Sequence, residues 1–251
     1  MSDQEDSFIS HLVELRDRLL RAVVAVVVVF VGLMPWAGDI YDILAHPMMQ
    51  ALPEGTRMIA TGVVTPFFVP MKVTLMVAFV IALPFVLYQA WCFIAPGLYA
   101  HERRLGLPLV VGSTVLFIAG MAFCYFFVFG TVFKFIAQFA PKSITPAPDI
   151  EQYLAFVMSM FLAFGLTFEV PVFVIVLTKM GIVDVPKLKE ARPYVIVGAF
   201  VVAAVVTPPD VVSQLMLAIP MCLLYELGIW AAQIFIRHTK APEDAEETAS
   251  S

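Results

Sequence analysis

From residue 19 to residue 236 the chain alternates long runs almost free of charge with short segments where charge, proline and glycine collect. The apolar runs cover about 19–36, 73–94, 105–132, 154–178, 194–207 and 211–236. A bilayer core of about 30 Å takes about 20 helical residues at about 1.5 Å each, and every run except the fifth approaches or passes that length. The pattern predicts an all-α, polytopic membrane domain over 1–236 with six transmembrane helices. Ahead of the first run, Phe8, Leu12, Leu15 and Leu19 recur at helical spacing, with His11, Glu14 and Arg18 on the opposite side. This spacing predicts an amphipathic helix over about 7–20, lying at the membrane surface.

Breaks within the runs add shape. Pro84, Pro171 and Pro220 fall inside the second, fourth and sixth spans, where each removes a backbone hydrogen bond, so a curved bundle is expected. The fifth run has fourteen residues and reaches only about 21 Å, which predicts local thinning of the bilayer or shielding by neighbours. It stops at Thr207-Pro208-Pro209-Asp210, where consecutive prolines end one helix and Asp210 is placed to cap the next.

Composition strengthens the membrane reading. The chain is 61% hydrophobic and 14% charged, with a mean hydropathy of +0.92, against roughly 45–50% apolar content in soluble domains. The first run lacks a small-residue cleavage site and follows the acidic SDQED, so it reads as a retained helix and not a removable signal peptide. Cys92, Cys124 and Cys222 sit in separate apolar runs and read as small hydrophobes.

Charge supplies orientation. With six spans, Arg16, Arg18, Arg21, Arg103, Arg104, Lys179, Lys187, Lys189, Arg192, Arg237 and Lys240 share one side. Arg57, Lys72, Lys134 and Lys142 occupy the other. The positive-inside rule then predicts cytoplasmic N- and C-termini, with the acidic segment 237–251 as a disordered cytoplasmic tail.

Three sets of polar residues are candidates for chemistry. Glu169 stands alone in the fourth run, two residues before Pro171, whose ring frees the carbonyl of Thr167. A charge at bilayer depth costs on the order of 3 kcal/mol, so an intramembrane acid is a functional candidate, here bordering a polar, water-accessible cavity. The competing reading is a protonated or bonded acid that only packs. At the predicted cytoplasmic face, Glu14 and Glu102 stand among arginines. Each is explained either by local pairing, Glu14 with Arg18 and Glu102 with Arg103 or Arg104, or by a receptor for a cationic peptide. Glu226 in the sixth span reads as structural, within reach of Lys179 or Arg237.

The segments HLVELRDRLLR, TPFFVPMK, YQAWCFIAPGLYAHERRL, FGLTFEVPV, RPYVIVGAF and VVTPPDVVSQLMLAIPM, in consistent order from about His11 to Ile236, resemble the TatC family, the multispanning core of the twin-arginine protein translocase. The resemblance implies a cupped six-helix protein of the bacterial cytoplasmic membrane. Such a protein recognises folded precursors through signal peptides bearing two adjacent arginines, and works on the proton-motive force. It implies a signal-peptide site formed by Glu14 and Glu102, with Arg16, Phe93 and Arg103 nearby. It further implies contact of the fifth and sixth spans with single-span subunits of the TatA and TatB type, through Thr207 and Gln214, and self-association in a multimeric complex. Gln214 follows Asp210 by one helical turn, so bonding within the cap is its alternative role.

Other classes fit the residues less well. His11, His46, His101 and His238 all lie outside the apolar runs, so no intramembrane triad or metal set assembles. Phosphate- and dinucleotide-binding glycine motifs are absent from the sequence, and nothing in it points to a cofactor or to nucleic acid. A secondary transporter using Glu169 would be expected to show repeated halves with matched broken helices, but the two halves differ in length, loops and proline placement. A structural membrane scaffold would leave HERR and FEVP without purpose.

Overall fold

A computed structural model describes residues 2–51, 58–94, 103–139, 147–207 and 210–239. Within them the chain is all-α: α1 Ser2–Leu33, α2 Ala37–Ala51, α3 Thr65–Ile94, α4 Arg103–Phe123, α5 Phe129–Phe139, α6 Ile150–Lys179, α7 Val185–Glu190, α8 Arg192–Val206 and α9 Val211–Thr239. Five stretches are long and apolar enough to cross a membrane, and the fifteen-residue α8 is a shorter apolar helix.

The elements differ from the sequence expectation mainly at their ends. No break separates a surface helix from the first span. Glycine and proline are absent from 2–31, so α1 runs unbroken until a 3₁₀ turn at Met34–Trp36, where Pro35 lacks the donor an α-turn needs. After that turn the chain continues as α2, which the apolar pattern did not reveal. The second span starts earlier than Lys72 suggested. Lys72 lies within α3, and its Nζ donates to Glu151 Oε1 at 3.0 Å, so its charge is met without closing the helix. The third span extends through a π-helical segment, Cys124–Val128, into α5. Pro84, Pro171 and Pro220 all lie inside continuous helices.

Helix α6 is the axis of the bundle. Tyr153, Leu154, Val157, Met160, Phe161 and Phe164 are buried against Val69 and Val73 of α3, the π segment, Phe129 and Phe133 of α5, and Ala199, Ala203, Leu217 and Ala218 of α8 and α9. Two glycine notches let helices approach α6. A Cβ on Gly120 would lie 2.5 Å from the Phe164 carbonyl oxygen, and one on Gly228 would lie 2.9 Å from Pro171 Cα. Gly181, at φ 68°, closes the end of α6 in the left-handed region that favours glycine.

At the end of the bundle where α2 stops and α6 begins, a strap crosses between distant parts of the chain. Ile59 N–H donates to the Pro148 carbonyl at 3.0 Å, and Ile150 N–H donates to the Ile59 carbonyl at 2.9 Å, forming a parallel β-bridge between Ile59 and Asp149. Asp149 is the hub. Its Oδ1 caps α6 by accepting from the Glu151 and Gln152 amides, and its Oδ2 accepts from the Thr61 amide and hydroxyl. The Thr61 hydroxyl first, and then the amides, hold the Asp149 carboxyl below its usual range. The strap therefore draws on ionised Asp149 at full strength above about pH 4, and loses it as pH falls below the ordinary aspartate value through the lowered one. Asp149→Ala is expected to speed hydrogen exchange at the Ile59 and Ile150 amides at pH 7. Unchanged exchange would show that the bridge holds without its hub. Below the strap, Tyr125 and Tyr153 donate their hydroxyls to the Ile43 and Leu44 carbonyls of α2.

Candidate functional site

The opposite end of the bundle, where α1 packs on the end of α3, carries the first group of candidates. Helix α1 packs along α3 and brings His11 over Phe93, with stacked rings whose centroids are 4.3 Å apart. One turn along α1, Glu14 faces two neighbours. Arg18 donates through Nε at 2.8 Å and Nη2 at 2.5 Å, both to Oε1. Oε2 lies 3.9 Å from His11 Nδ1, too far for a hydrogen bond. Glu14 thus has one occupied and one open oxygen beside a flat aromatic surface. Both members of the Glu14–Arg18 pair are partly exposed, so the pair contributes only about 0.3–0.5 kcal/mol.

Arg16 turns away and pairs with Asp17, at 3.0 Å from Nε and 2.8 Å from Nη2 to Oδ1. The structure therefore joins Glu14 and Phe93 through His11, while Arg16 is engaged elsewhere. Glu102 and the side chain of Arg103 lie outside the described residues.

The second group is inside the bundle. Glu169 is 2% exposed, and neither carboxyl oxygen has a hydrogen-bond partner. Ser113 of α4 comes near it without meeting hydrogen-bond geometry, and Ser113 Oγ accepts from Trp91 Nε1 at 3.0 Å. The Thr167 hydroxyl is also buried and unpartnered, whereas Thr74, Thr114, Thr131, Thr178 and Thr207 each donate to the carbonyl four residues back. Since Pro171 has no N–H, the Thr167 carbonyl also lacks its usual i+4 helical donor.

Two clefts open on α6. One, of about 390 Å³, is walled by Leu75, Phe79, Phe117, Met121, Met158 and neighbours. The other, of about 410 Å³, lies between α6, α8 and α9, with Thr167 on its wall. Glu169 lines neither cleft. The polar side chains on the cleft walls are Ser159, which lines both and donates to the Ala155 carbonyl, and Thr167, which lines the second, while the Glu169 carboxyl lies in the packed interior. Sequence reasoning did not find Trp91 and Ser113. They come from two other helices, and neither breaks the apolar pattern that surrounds it.

The third group joins α8 and α9. Asp210 caps α9, with Oδ1 accepting from the Ser213 amide at 2.7 Å and Oδ2 buried without a partner. Gln214 does not bond within that cap through its side chain. Its Nε2 donates to the Phe200 carbonyl of α8 at 3.2 Å and ties the two helices. Thr207 is buried and donates to the Ala203 carbonyl. At the far end of the same helix pair, Glu226 pairs with Arg192 at 2.7 Å, and the side chain of Arg237 lies outside the described residues. Arg192 opens α8 directly opposite Glu226, which sequence separation conceals.

Among the described residues no cluster of histidine, cysteine or carboxylate has metal-binding geometry. The arrangement offers an open carboxylate beside stacked rings at one end, and buried orphan polar groups within the helices.

The family model for the Sec-independent protein translocase protein (TatC) matches residues 10–220. The TatC of Azotobacter chroococcum mcd 1 is 52% identical over 241 residues, covering 96% of this chain and 94% of that one. The TatC of Escherichia coli strain K12 is 51% identical over 228 residues, covering 91% and 88%. Among solved structures, the crystal structure of a twin arginine translocase receptor, TatC, superposes with a TM-score of 0.78 at 38% identity, over 89% of this chain and 98% of that one. The all-α membrane architecture, the order of the motifs and these likenesses agree, and the chain belongs to the TatC family of Sec-independent protein translocase proteins.

Proposed function

We propose that this protein is the signal-peptide receptor and core of a translocase that exports folded proteins across the bacterial cytoplasmic membrane, recognising twin-arginine signal peptides at the end of the bundle that holds Glu14. The observation that carries this reading is the open Oε2 of Glu14 beside the His11–Phe93 stack, on a chain whose relatives include a structure described as a twin arginine translocase receptor. A guanidinium is planar and weakly hydrated, so it can lie on an aromatic face while its fork engages a carboxylate, and an ammonium cannot reproduce both contacts. In this reading Glu102 supplies a second carboxylate, with Arg16 and Arg103 setting the local field. The excess of lysine and arginine on that side supports cytoplasmic termini.

Two further assignments belong to the same reading. Single-span subunits of the TatA and TatB type dock on α8 and α9, whose outer surface exposes Tyr194, Val197, Val201 and Val205. Gln214 and Thr207 act there as exchangeable polar contacts of about 1 kcal/mol. Transport is driven by the proton-motive force, and Glu169 serves the passage of the inserted signal peptide and does not recognise it.

The test is crosslinking of a twin-arginine peptide to the membrane-embedded protein. A hydrogen bond to a charged group contributes about 1.5–3 kcal/mol, so Glu14→Ala is expected to weaken capture about ten- to hundredfold, and Glu14→Ala with Glu102→Ala to abolish it while the protein still inserts. Unchanged crosslinking in the double variant would overturn the receptor assignment.

A further inference from the structure

We propose that Arg18 is an internal occupant of the peptide site, holding Glu14 in the free receptor as an incoming arginine would and leaving when the signal peptide binds. The inference rests on the reading of Glu14 as a receptor carboxylate. Its basis is geometric. Arg18 presents two donors, Nε and Nη2, and both go to the single oxygen Oε1 of Glu14. The carboxylate is therefore only half used, with Oε2 at 3.9 Å from His11 and open to a ligand. A guanidinium arriving from outside can make a one-oxygen contact at Oε2 at once. The two-oxygen fork, which is the stronger and more directional arrangement, requires Oε1 as well, so Arg18 must yield.

Arg18 also has somewhere to go. Its guanidinium lies close to Cys92 on α3, one residue from Phe93. Release from Glu14 leaves it at the α1–α3 contact, with water and the Cys92 sulfur as alternative partners. Arg16 cannot serve as the occupant, because its Nε and Nη2 are both committed to Asp17.

The consequence is a threshold. A partly exposed pair four residues apart on a helix is formed about twice as often as it is broken, so only about a third of the receptors present a free Glu14, and apparent affinity is reduced about threefold. The reduction is common to every ligand that needs Oε1. Because the arginine fork uses both oxygens while an ammonium can rest on Oε2 alone, the reduction falls on arginine peptides more than on lysine peptides.

The experiment measures the affinity of a twin-arginine peptide and of its twin-lysine counterpart for the full-length protein in lipid nanodiscs, comparing wild type with Glu14→Gln, Arg18→Gln, Arg18→Lys and Arg21→Gln. Arg18→Gln is expected to tighten the twin-arginine peptide by about threefold and the twin-lysine peptide clearly less, with Arg18→Lys in between. The gain over wild type should shrink in high salt, where the internal pair is already screened. Arg21→Gln removes the same unit of charge from a residue that does not pair with Glu14, and is expected to give a clearly smaller gain. Equal gains from Arg18→Gln and Arg21→Gln would reduce the effect to net charge and overturn the proposal. If Glu14→Gln weakens binding but Arg18→Gln weakens it too, Arg18 is part of the site and the occupant role is wrong, while the receptor reading stands. If Glu14→Gln leaves binding unchanged, both fall together.

Discussion

Gly120→Ala is expected to lower the melting temperature of the detergent-solubilised protein far more than Gly165→Ala, although the two glycines serve the same crossing of α4 and α6. At Gly120 the new methyl would lie 2.5 Å from the Phe164 carbonyl oxygen and 3.0 Å from its carbonyl carbon. Backbone cannot step aside, so the two helices must separate along the most buried stretch of α6. At Gly165 the methyl meets the Phe117 ring at 2.5 to 2.8 Å, and those atoms are the far end of a side chain that can turn. Overpacking of a core costs about 1–3 kcal/mol. At roughly 2–4 °C for each kcal/mol in a chain of this size, Gly120→Ala should fall by several degrees and Gly165→Ala by little. Equal melting points would show that the crossing adjusts as a rigid pair.

The second large effect is expected at Glu169, with stability and function moving in opposite directions. An unpartnered buried polar group costs about 1–3 kcal/mol, and neither carboxyl oxygen of Glu169 is satisfied. Methionine matches the unbranched shape of glutamate and brings no polar atoms to satisfy. Glu169→Met should therefore raise the melting temperature while reducing export of a folded twin-arginine precursor in cells. The pair of measurements separates two accounts. A lower melting point would mean that the carboxyl is bonded in the native membrane, and full export with a higher melting point would make Glu169 dispensable to the passage.

The contrast between Glu169 and the strap shows what a linear pattern can reveal. Glu169 was legible because a charge in an apolar run is conspicuous on its own. The helices were legible for the same reason, since each depends on twenty or so consecutive residues. Glu14 and Phe93 could be singled out through the family resemblance, but their connection through the His11 ring depends on how α1 lies along α3. The Thr167 carbonyl was legible from Pro171, but Trp91, Ser113 and the Thr167 hydroxyl were not, because tryptophan, serine and threonine are unremarked in a membrane helix, and only a neighbouring helix decides whether their polar atoms find partners. Asp149 was not singled out, although an aspartate just before an apolar run is a cap signal. Its bonds to Thr61 carried none, since nothing local specifies a partner 88 residues away. The missed extension of the second span has a similar cause. Lys72 looked like a boundary because Glu151, which meets its charge, belongs to a helix much later in the chain.

Those separations also set an order of events at the ribosome. Ile59, Thr61 and Lys72 emerge well before Asp149 and Glu151, and at about 5–20 residues per second the 88 residues between Thr61 and Asp149 take roughly 4–18 s to make. Through that interval the segment leading into α3 has none of its strap partners. The last ties at that end of the bundle close only once the head of α6 has arrived, which makes α6 the helix whose insertion converts a loose set of early spans into a fastened one.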